Sequence, residues 1–352
     1  MIRERGVACL TAVVLLLAAC TAPSPAAPGA TDADADPGVE PTRVQVVSAP
    51  NVFLSALYIA QDDGIFAEES LEVEIVEIES GADSVAALVS GNAQFADIGF
   101  DDLVTLSQEG EESLVMVHNI LNRVTLTLVM RTDVAEELGI SRDSPLEERW
   151  AALEGLRLGI TSPGAPTDKY MRYYLRQAGL NPDADAEIIA IGGGASLLAA
   201  LESDQIDAYH LSPPTPYVAE TEGFGTVLID GPSGDVPQFA DFLYTGWASN
   251  RDWAAENPEA AQAFSRAIAR AMEKVQSDSA GVSAQILPYI GSEDQEVTER
   301  TLEALLPALS TDGCFNEEGV TDSLATMFEA EIIGSAGDPA EGVLWTNDYN
   351  GC

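Results

Sequence analysis

Basic residues are scarce in this chain of 352 residues: 16 Lys+Arg stand against 58 Asp+Glu, a formal net charge of −42. Binding nucleic acid by phosphate neutralisation needs clustered Lys and Arg. The two lysines, Lys169 and Lys274, stand far apart, and no basic cluster appears. Histidine is scarcer still. His118 and His210 are the only two, too few for a zinc or manganese site, and no metal-ligand cluster accompanies them. A Gly-Lys-Ser/Thr phosphate loop is missing, and no Ser/His/Asp spacing marks a nucleophilic triad. No metal and no cofactor is expected. Long apolar runs are missing too: Val7 to Ala19 is too short to span a bilayer as a helix. What remains is a 46% hydrophobic chain, long enough for one large or two medium cores. Charge of one sign keeps it soluble by self-repulsion, and a monomer is expected.

Arg3 and Arg5 precede the short apolar run, which ends in Leu17-Ala18-Ala19-Cys20. This resembles the lipobox of bacterial lipoproteins, where cleavage before the Cys frees its thiol for lipid attachment. The resemblance implies a signal peptide over residues 1–19, lipidation at Cys20 and a protein held on the extracytoplasmic face of the cell membrane. Several acyl chains on one Cys give stable anchoring where a single chain does not. Residues 20–42, rich in Ala, Pro, Asp and Gly, have no apolar periodicity and read as a disordered tether. Cys9 leaves with the signal and Cys20 takes the lipid. Cys314 and Cys352 remain as an even pair in an oxidising compartment, so a disulfide pinning the C-terminal tail is expected.

The rest alternates strand and helix signals. Val44–Val47, Leu71–Val76, Phe95–Gly99, Leu114–Ile120 and Val124–Met130 read as strands. One helical stretch gathers Leu54, Leu57, Tyr58 and Ala60 near one face and is ended by Gly64; others run from an Asp83 N-cap to Ser90 and from about Asp101. A second set restarts at Leu156–Ile160 and continues with strands Glu187–Ile191, Ile206–His210 and Thr226–Asp230. Phe242–Ser249 reads as a return strand with Tyr244 and Trp247 on one face. Asn257-Pro258-Glu259 is a helix start, with cap, proline and first-turn acid. This order is α/β. Ligands of open α/β sheets sit outside the carboxyl ends of strands, which points to the loops 48–53, 99–101, 161–167, 192–196 and 210–214.

Four segments, in order, resemble a known family. Ala56-Leu57-Tyr58-Ile59-Ala60-Gln61-Asp62-Asp63-Gly64-Ile65-Phe66 is similar to the "PLYVAQEKGYF" segment of periplasmic substrate-binding proteins for nitrate, sulfonates, taurine and the thiamine-precursor pyrimidine. Ala87 to Asp97 resembles their "ALASGQVDIA". Leu153 to Ile160 resembles "DLKGKRVGV", and Leu201 to Ala208 the second "ALESGQVDAA". The resemblance implies a two-lobe periplasmic-binding-protein fold of type II with the ligand cleft between lobes. Lobe 1 would comprise residues 43–128 plus 245–352, and lobe 2 residues 129–244. The hinge would lie near Val124–Arg131 and Phe242–Ser249. It also implies a non-enzymatic solute receptor that serves an ABC transporter permease. The alternative, a pyrimidine-precursor biosynthetic enzyme on the same fold, would need a reactive Lys beside a His. Lys169 is the one plausible cleft lysine.

The loops supply the candidate ligand contacts. Ser162, Gly164 and Thr167 combine hydroxyls with a helix start that suits an anion or a ring heteroatom. Gly193 and Gly194 permit close backbone approach. His210 and Ser212 close a strand on the cleft side. Asn51, Phe53, Phe100, Tyr244 and Trp247 offer a polar contact and stacking surfaces. Arg123 is the best single anion clamp. A sulfonate- or taurine-like anion and a pyrimidine-like heterocycle both remain open as the solute.

Overall fold

Runs of β-branched residues set the strands of the computed structural model, which describes residues 40–78, 81–290, 292 and 294–352. The expected signal peptide, Cys20 and nearly all of the tether lie outside the described residues. Among the described residues, no helix is long and apolar enough to cross a membrane.

Two five-stranded sheets result. The first contains β1 (Thr42–Ser48), β2 (Leu71–Glu77), β3 (Phe95–Gly99) and β4 (Leu114–Leu121). The second contains β5 (Thr127–Arg131), β6 (Arg157–Ile160), β7 (Glu187–Ala190), β8 (Ala208–Leu211) and β9 (Gly225–Ile229). β10 (Thr245–Asn250) returns to the first, giving the orders β2-β1-β3-β10-β4 and β7-β6-β8-β5-β9. In each sheet four strands run in one direction, and the one in fourth place is antiparallel to both of its neighbours: β10 against β3 and β4, β5 against β8 and β9. That fourth strand is the one arriving from the other half, so the chain crosses twice, at 122–126 and at 230–244. The result is the two-lobe, type II periplasmic-binding-protein fold.

Several sequence boundaries move. The strand expected from Val124 begins at Thr127, and residues 124–126 belong to the crossover. β5 thus enters the second sheet two residues before the expected lobe boundary at 129. β1 takes Thr42, the last residue assigned to the tether. The helix expected to be capped by Asp83 begins at Gly81, which puts Asp83 in its first turn. Asn257 does not cap the helix Pro258–Ser277; its amide donates to the Trp253 carbonyl and closes the preceding helix instead.

The crossovers press on one another. A Cβ on Gly231 would lie 2.5 Å from the Leu126 carbonyl oxygen and 2.7 Å from the Thr125 carbonyl carbon. Only glycine fits there without a backbone shift. The return crossover is tied to the first by Phe242 N–H to Asn122 O (2.8 Å) and Tyr244 N–H to Leu121 O (2.9 Å). In the first lobe, Phe264 on the helix Pro258–Ser277 stacks on Phe95 at 3.9 Å and takes Trp247 edge-on at 5.4 Å. Cys314 and Cys352 form a disulfide, with Cα atoms 6.0 Å apart. The tail it closes is also docked by Thr346 N–H to Met116 O at 3.0 Å.

Candidate functional site

The carboxyl end of β3 meets the second lobe directly. Gly99 ends the strand, and the helix Phe100–Gln108 starts at once with Asp101 and Asp102 in its first turn. Facing it is the helix Pro166–Gln177 of the second half. Lys169 on that helix donates to Asp101 Oδ2 at 2.7 Å and to Asp102 Oδ1 at 3.2 Å. The next residue, Tyr170, is fully buried, with its ring edge-on to Phe239 (5.1 Å) and Tyr244 (6.0 Å). Beside them, Ser212 Oγ lies 2.7 Å from Thr125 Oγ1. Carboxylates, one ammonium, two hydroxyls and an aromatic wall thus converge where the lobes meet.

Burial sets the electrostatics of this group. Asp102 is pushed up to about 6, first by burial and then by the charge of Asp101, with Lys169 opposing. For Lys169, burial alone would lower the pKa, but Asp101 and Asp102 outweigh it and the net shift is upward. Burial, and then the same carboxylates, hold Tyr170 and Tyr244 well above the usual phenol range, so both are neutral hydroxyls. On β3, Asp97 is pushed up to about 7 by burial, and its Oδ1 has no hydrogen-bond partner.

The expected contacts divide. Tyr244 and Ser212 reach this junction. Phe100 is fully buried beneath it, its N–H bonded to Tyr244 O at 2.9 Å. Asn51 closes its own turn, Oδ1 accepting from Phe53 N–H and its N–H donating to the Tyr58 hydroxyl. Phe53 and Trp247 turn into the first lobe, where both line a small internal cavity beside His118 and Met272. Tyr244 and Trp247 do not share a face: β10 begins only at Thr245, and an odd spacing along extended chain reverses the side-chain direction.

Arg123, expected as an anion clamp, is a staple of the crossovers. Its Nε donates to Ala240 O at 2.9 Å and its Nη1 to Pro232 O at 2.7 Å. The loop 161–167 consumes its own donors. Thr161 N–H goes to Thr167 Oγ1 at 3.0 Å, and Gly164 N–H to Asp168 Oδ2 at 2.8 Å. Ser162 and Gly164 are exposed, and the Asp168 carboxylate already occupies the place an anion would take. His210 is buried, edge-on to Tyr174 and hydrogen-bonded to Thr167 O. Burial pushes its pKa down to about 4, which removes it as a pH sensor near neutrality. Gly193 faces open space, whereas a Cβ on Gly194 would sit 3.1 Å from Leu211 and Thr215. Neither glycine joins the junction.

Sequence reasoning passed over Asp97, Asp101, Asp102, Tyr170 and Thr125 as contacts. Its one available signal was the Asp pair directly after a strand-ending Gly-Phe. No cation is left over for an anionic solute: among the described residues every Lys and Arg has a carboxylate or carbonyl partner.

A family model described as NMT1-like matches residues 38–287. The nitrate/nitrite binding protein NrtA of Nostoc sp. (strain PCC 7120) is 27% identical over 72% of this chain and 58% of its own length. The formylaminopyrimidine-binding protein of Halalkalibacterium halodurans is 26% identical over 75% of this chain and 72% of its own. The crystal structure of the periplasmic aliphatic sulphonate binding protein SsuA from Escherichia coli superposes with a TM-score of 0.68 at 18% identity, covering 88% of this chain and 99% of that one.

Proposed function

From the premise that the chain belongs to the NMT1-like family, we propose that it is an extracytoplasmic solute-binding protein, lipid-anchored at Cys20, that delivers a small organic solute to an ABC importer. Lobe 1 (residues 43–128 and 245–352) and lobe 2 (129–244) would close on the solute by a hinge motion at the two crossovers. The solute itself supplies the differential free energy for closure by touching both lobes. The protein makes and breaks no covalent bond in this reading. His210 is committed to the Thr167 carbonyl and Lys169 to two carboxylates, so neither serves as base or nucleophile.

Of the two solutes left open by the sequence, the site supports the pyrimidine-like heterocycle. The observation that carries this choice is a junction walled by Tyr170 and Tyr244 and charged by Asp101 and Asp102, with Lys169 already shared between them. Such a site stacks a planar ring and accepts hydrogen bonds from its N–H groups, and it repels a sulfonate. A thermal-shift screen of pyrimidines against sulfonates, taurine and nitrate tests it. A solute at 100 times its Kd adds about 2.7 kcal/mol of stability, an easily read shift. Stabilisation by sulfonates alone would overturn the heterocycle reading, and no response to any member would overturn the solute-binding reading for this panel.

A further inference from the structure

Two polar atoms at the lobe junction have no hydrogen-bond partner: Asp101 Oδ1 from the first lobe and the Tyr170 hydroxyl from the second. Both residues are 0% exposed. A buried donor or acceptor left unsatisfied forfeits the hydrogen bonds it made in water, and a charged group forfeits more, so such a pair at a binding cleft calls for an outside partner. The two oxygens of Asp101 differ. Oδ2 is held by Lys169 at 2.7 Å. Oδ1 lies back over the end of β3, where a Cβ on Gly99 would come within 2.8 Å of it. Glycine at 99 therefore leaves room for Oδ1 over the strand end, where the ligand of an open α/β sheet sits; with the lobes together this oxygen is shut off from water, and parting of the lobes would expose it.

We propose that Asp101 is the specificity-determining residue of the cleft, its Oδ1 accepting an N–H from an amino-substituted heterocycle while the Tyr170 hydroxyl bonds the neighbouring ring atom. The inference rests on the solute-binding reading above and adds the group that is read. Lys169 acts as a positioning residue: by holding Oδ2 it fixes the carboxylate plane and directs Oδ1 away from itself. The same geometry explains the rejection of anions. The N-terminus of the helix Phe100–Gln108 already carries two carboxylates, and an anion placed there would meet them directly.

The test compares 4-aminopyrimidine with 4-pyrimidinone, which presents a carbonyl oxygen in place of the amino group. Affinities are measured by calorimetric titration of the full mature protein, with taurine as the anionic probe. Wild type is expected to prefer 4-aminopyrimidine by tenfold or more and to ignore taurine. In Asp101→Asn the amide oxygen stays on Lys169 and the NH₂ takes the Oδ1 position, so acceptor becomes donor. The preference should then invert towards 4-pyrimidinone, an inversion that a merely structural role would not produce. Tyr170→Phe should weaken both pyrimidines at least severalfold without inverting the preference, and it decides the matter should Asp101→Asn fail to fold. A preference unchanged in Asp101→Asn, or in its absence affinities unchanged in Tyr170→Phe, overturns the role of this pair and leaves the solute-binding reading standing. Taurine binding tighter than either pyrimidine in wild type overturns the proposal. Binding of none of the three probes overturns the solute reading and this inference together.

Discussion

Asp97→Asn should stabilise the protein at alkaline pH and do much less in acid. Asp97 lies on β3 opposite Trp247 of β10, and its unpartnered Oδ1 is shut off from water. Burial pushes its carboxyl from 3.8 up to about 7. Between those values the folded protein holds a proton that the unfolded chain releases, so stability falls as pH rises through this window. Each pKa unit is worth 1.36 kcal/mol, which makes the full loss about 4 kcal/mol above pH 7 and roughly 2 kcal/mol at pH 5. Asparagine keeps the shape and carries no charge. Urea midpoints of wild type and variant at pH 5 and pH 8.5 measure the difference. His118 and His210, both pushed down to about 4 by burial, act with the opposite sign. They cost stability as pH falls from 6.5, and Asp102 costs stability as pH rises towards 6. These contributions are common to both proteins and cancel in the comparison. The variant should gain about 2 kcal/mol more at pH 8.5 than at pH 5. A gain independent of pH, or a variant less stable at pH 8.5, would refute the burial argument.

Three further outcomes follow from packing. Cys314 and Cys352 are 38 residues apart, and the loop-entropy relation gives about 4 kcal/mol for closing such a loop; Cys314→Ser/Cys352→Ser should lower the denaturant midpoint accordingly, while peptide mapping without reductant finds the bridge in wild type. Gly313 has φ +75° and a Cβ there would fall within 2.4 Å of three His118 ring atoms, so Gly313→Ala should cost about 3 kcal/mol. His118→Ala in the same chain should recover most of that loss in thermal melts, leaving only the backbone strain. Lys169→Met strands Asp101 as a buried charge, and removing one partner of such a pair costs about 3 kcal/mol; an unchanged melting temperature would show that water reaches Asp101.

The sheets were legible because strand signals are local: alternation and β-branching within five to eight residues place β2, β3 and β4 to within a residue or so. Loops at strand ends were legible for the same reason. Side-chain destinations were not, because each depends on residues far away in sequence. Arg123 reads as a free turn residue until Pro232 and Ala240 arrive more than a hundred positions later to take its guanidinium. Asp101 reads as an ordinary first-turn acid, and only Lys169, 68 residues on, turns it into a buried carboxylate with one oxygen held. Thr161 and Thr167 look like open donors and acceptors, but the loop folds so that they bond each other. The aromatic candidates divided by the direction their backbone imposed: Tyr244 sits just before β10 and faces the second lobe, whereas Trp247 lies inside it and faces Phe264.

The scarcity of cations and the character of the site are one physical fact. In a chain with 58 acids and 16 bases, every base that folds near a carboxylate gains by pairing, and carboxylates are always near. The fold uses these pairs as internal fasteners. Arg131 and Arg157 share Asp204 and Asp207, and Arg142 and Arg149 share Asp235. Arg300 binds Glu220 while covering the Tyr217 ring. A cation left unpaired in the cleft would draw a neighbouring acid into it and so neutralise itself, as Lys169 does. An anion receptor built from this composition would have to rely on bare helix N-termini. At the two that meet at the lobe junction, Asp101 with Asp102 and Asp168 already stand in the first turn, whereas the helices Ser55–Asp62, Gly194–Glu202 and Thr215–Thr221, which follow the other candidate loops, carry no acid there. At the lobe junction excess acid therefore works against anion capture twice, by consuming the cations and by filling the two helix ends that meet there, and it leaves carboxylate oxygens among the recognition groups of the proposed site.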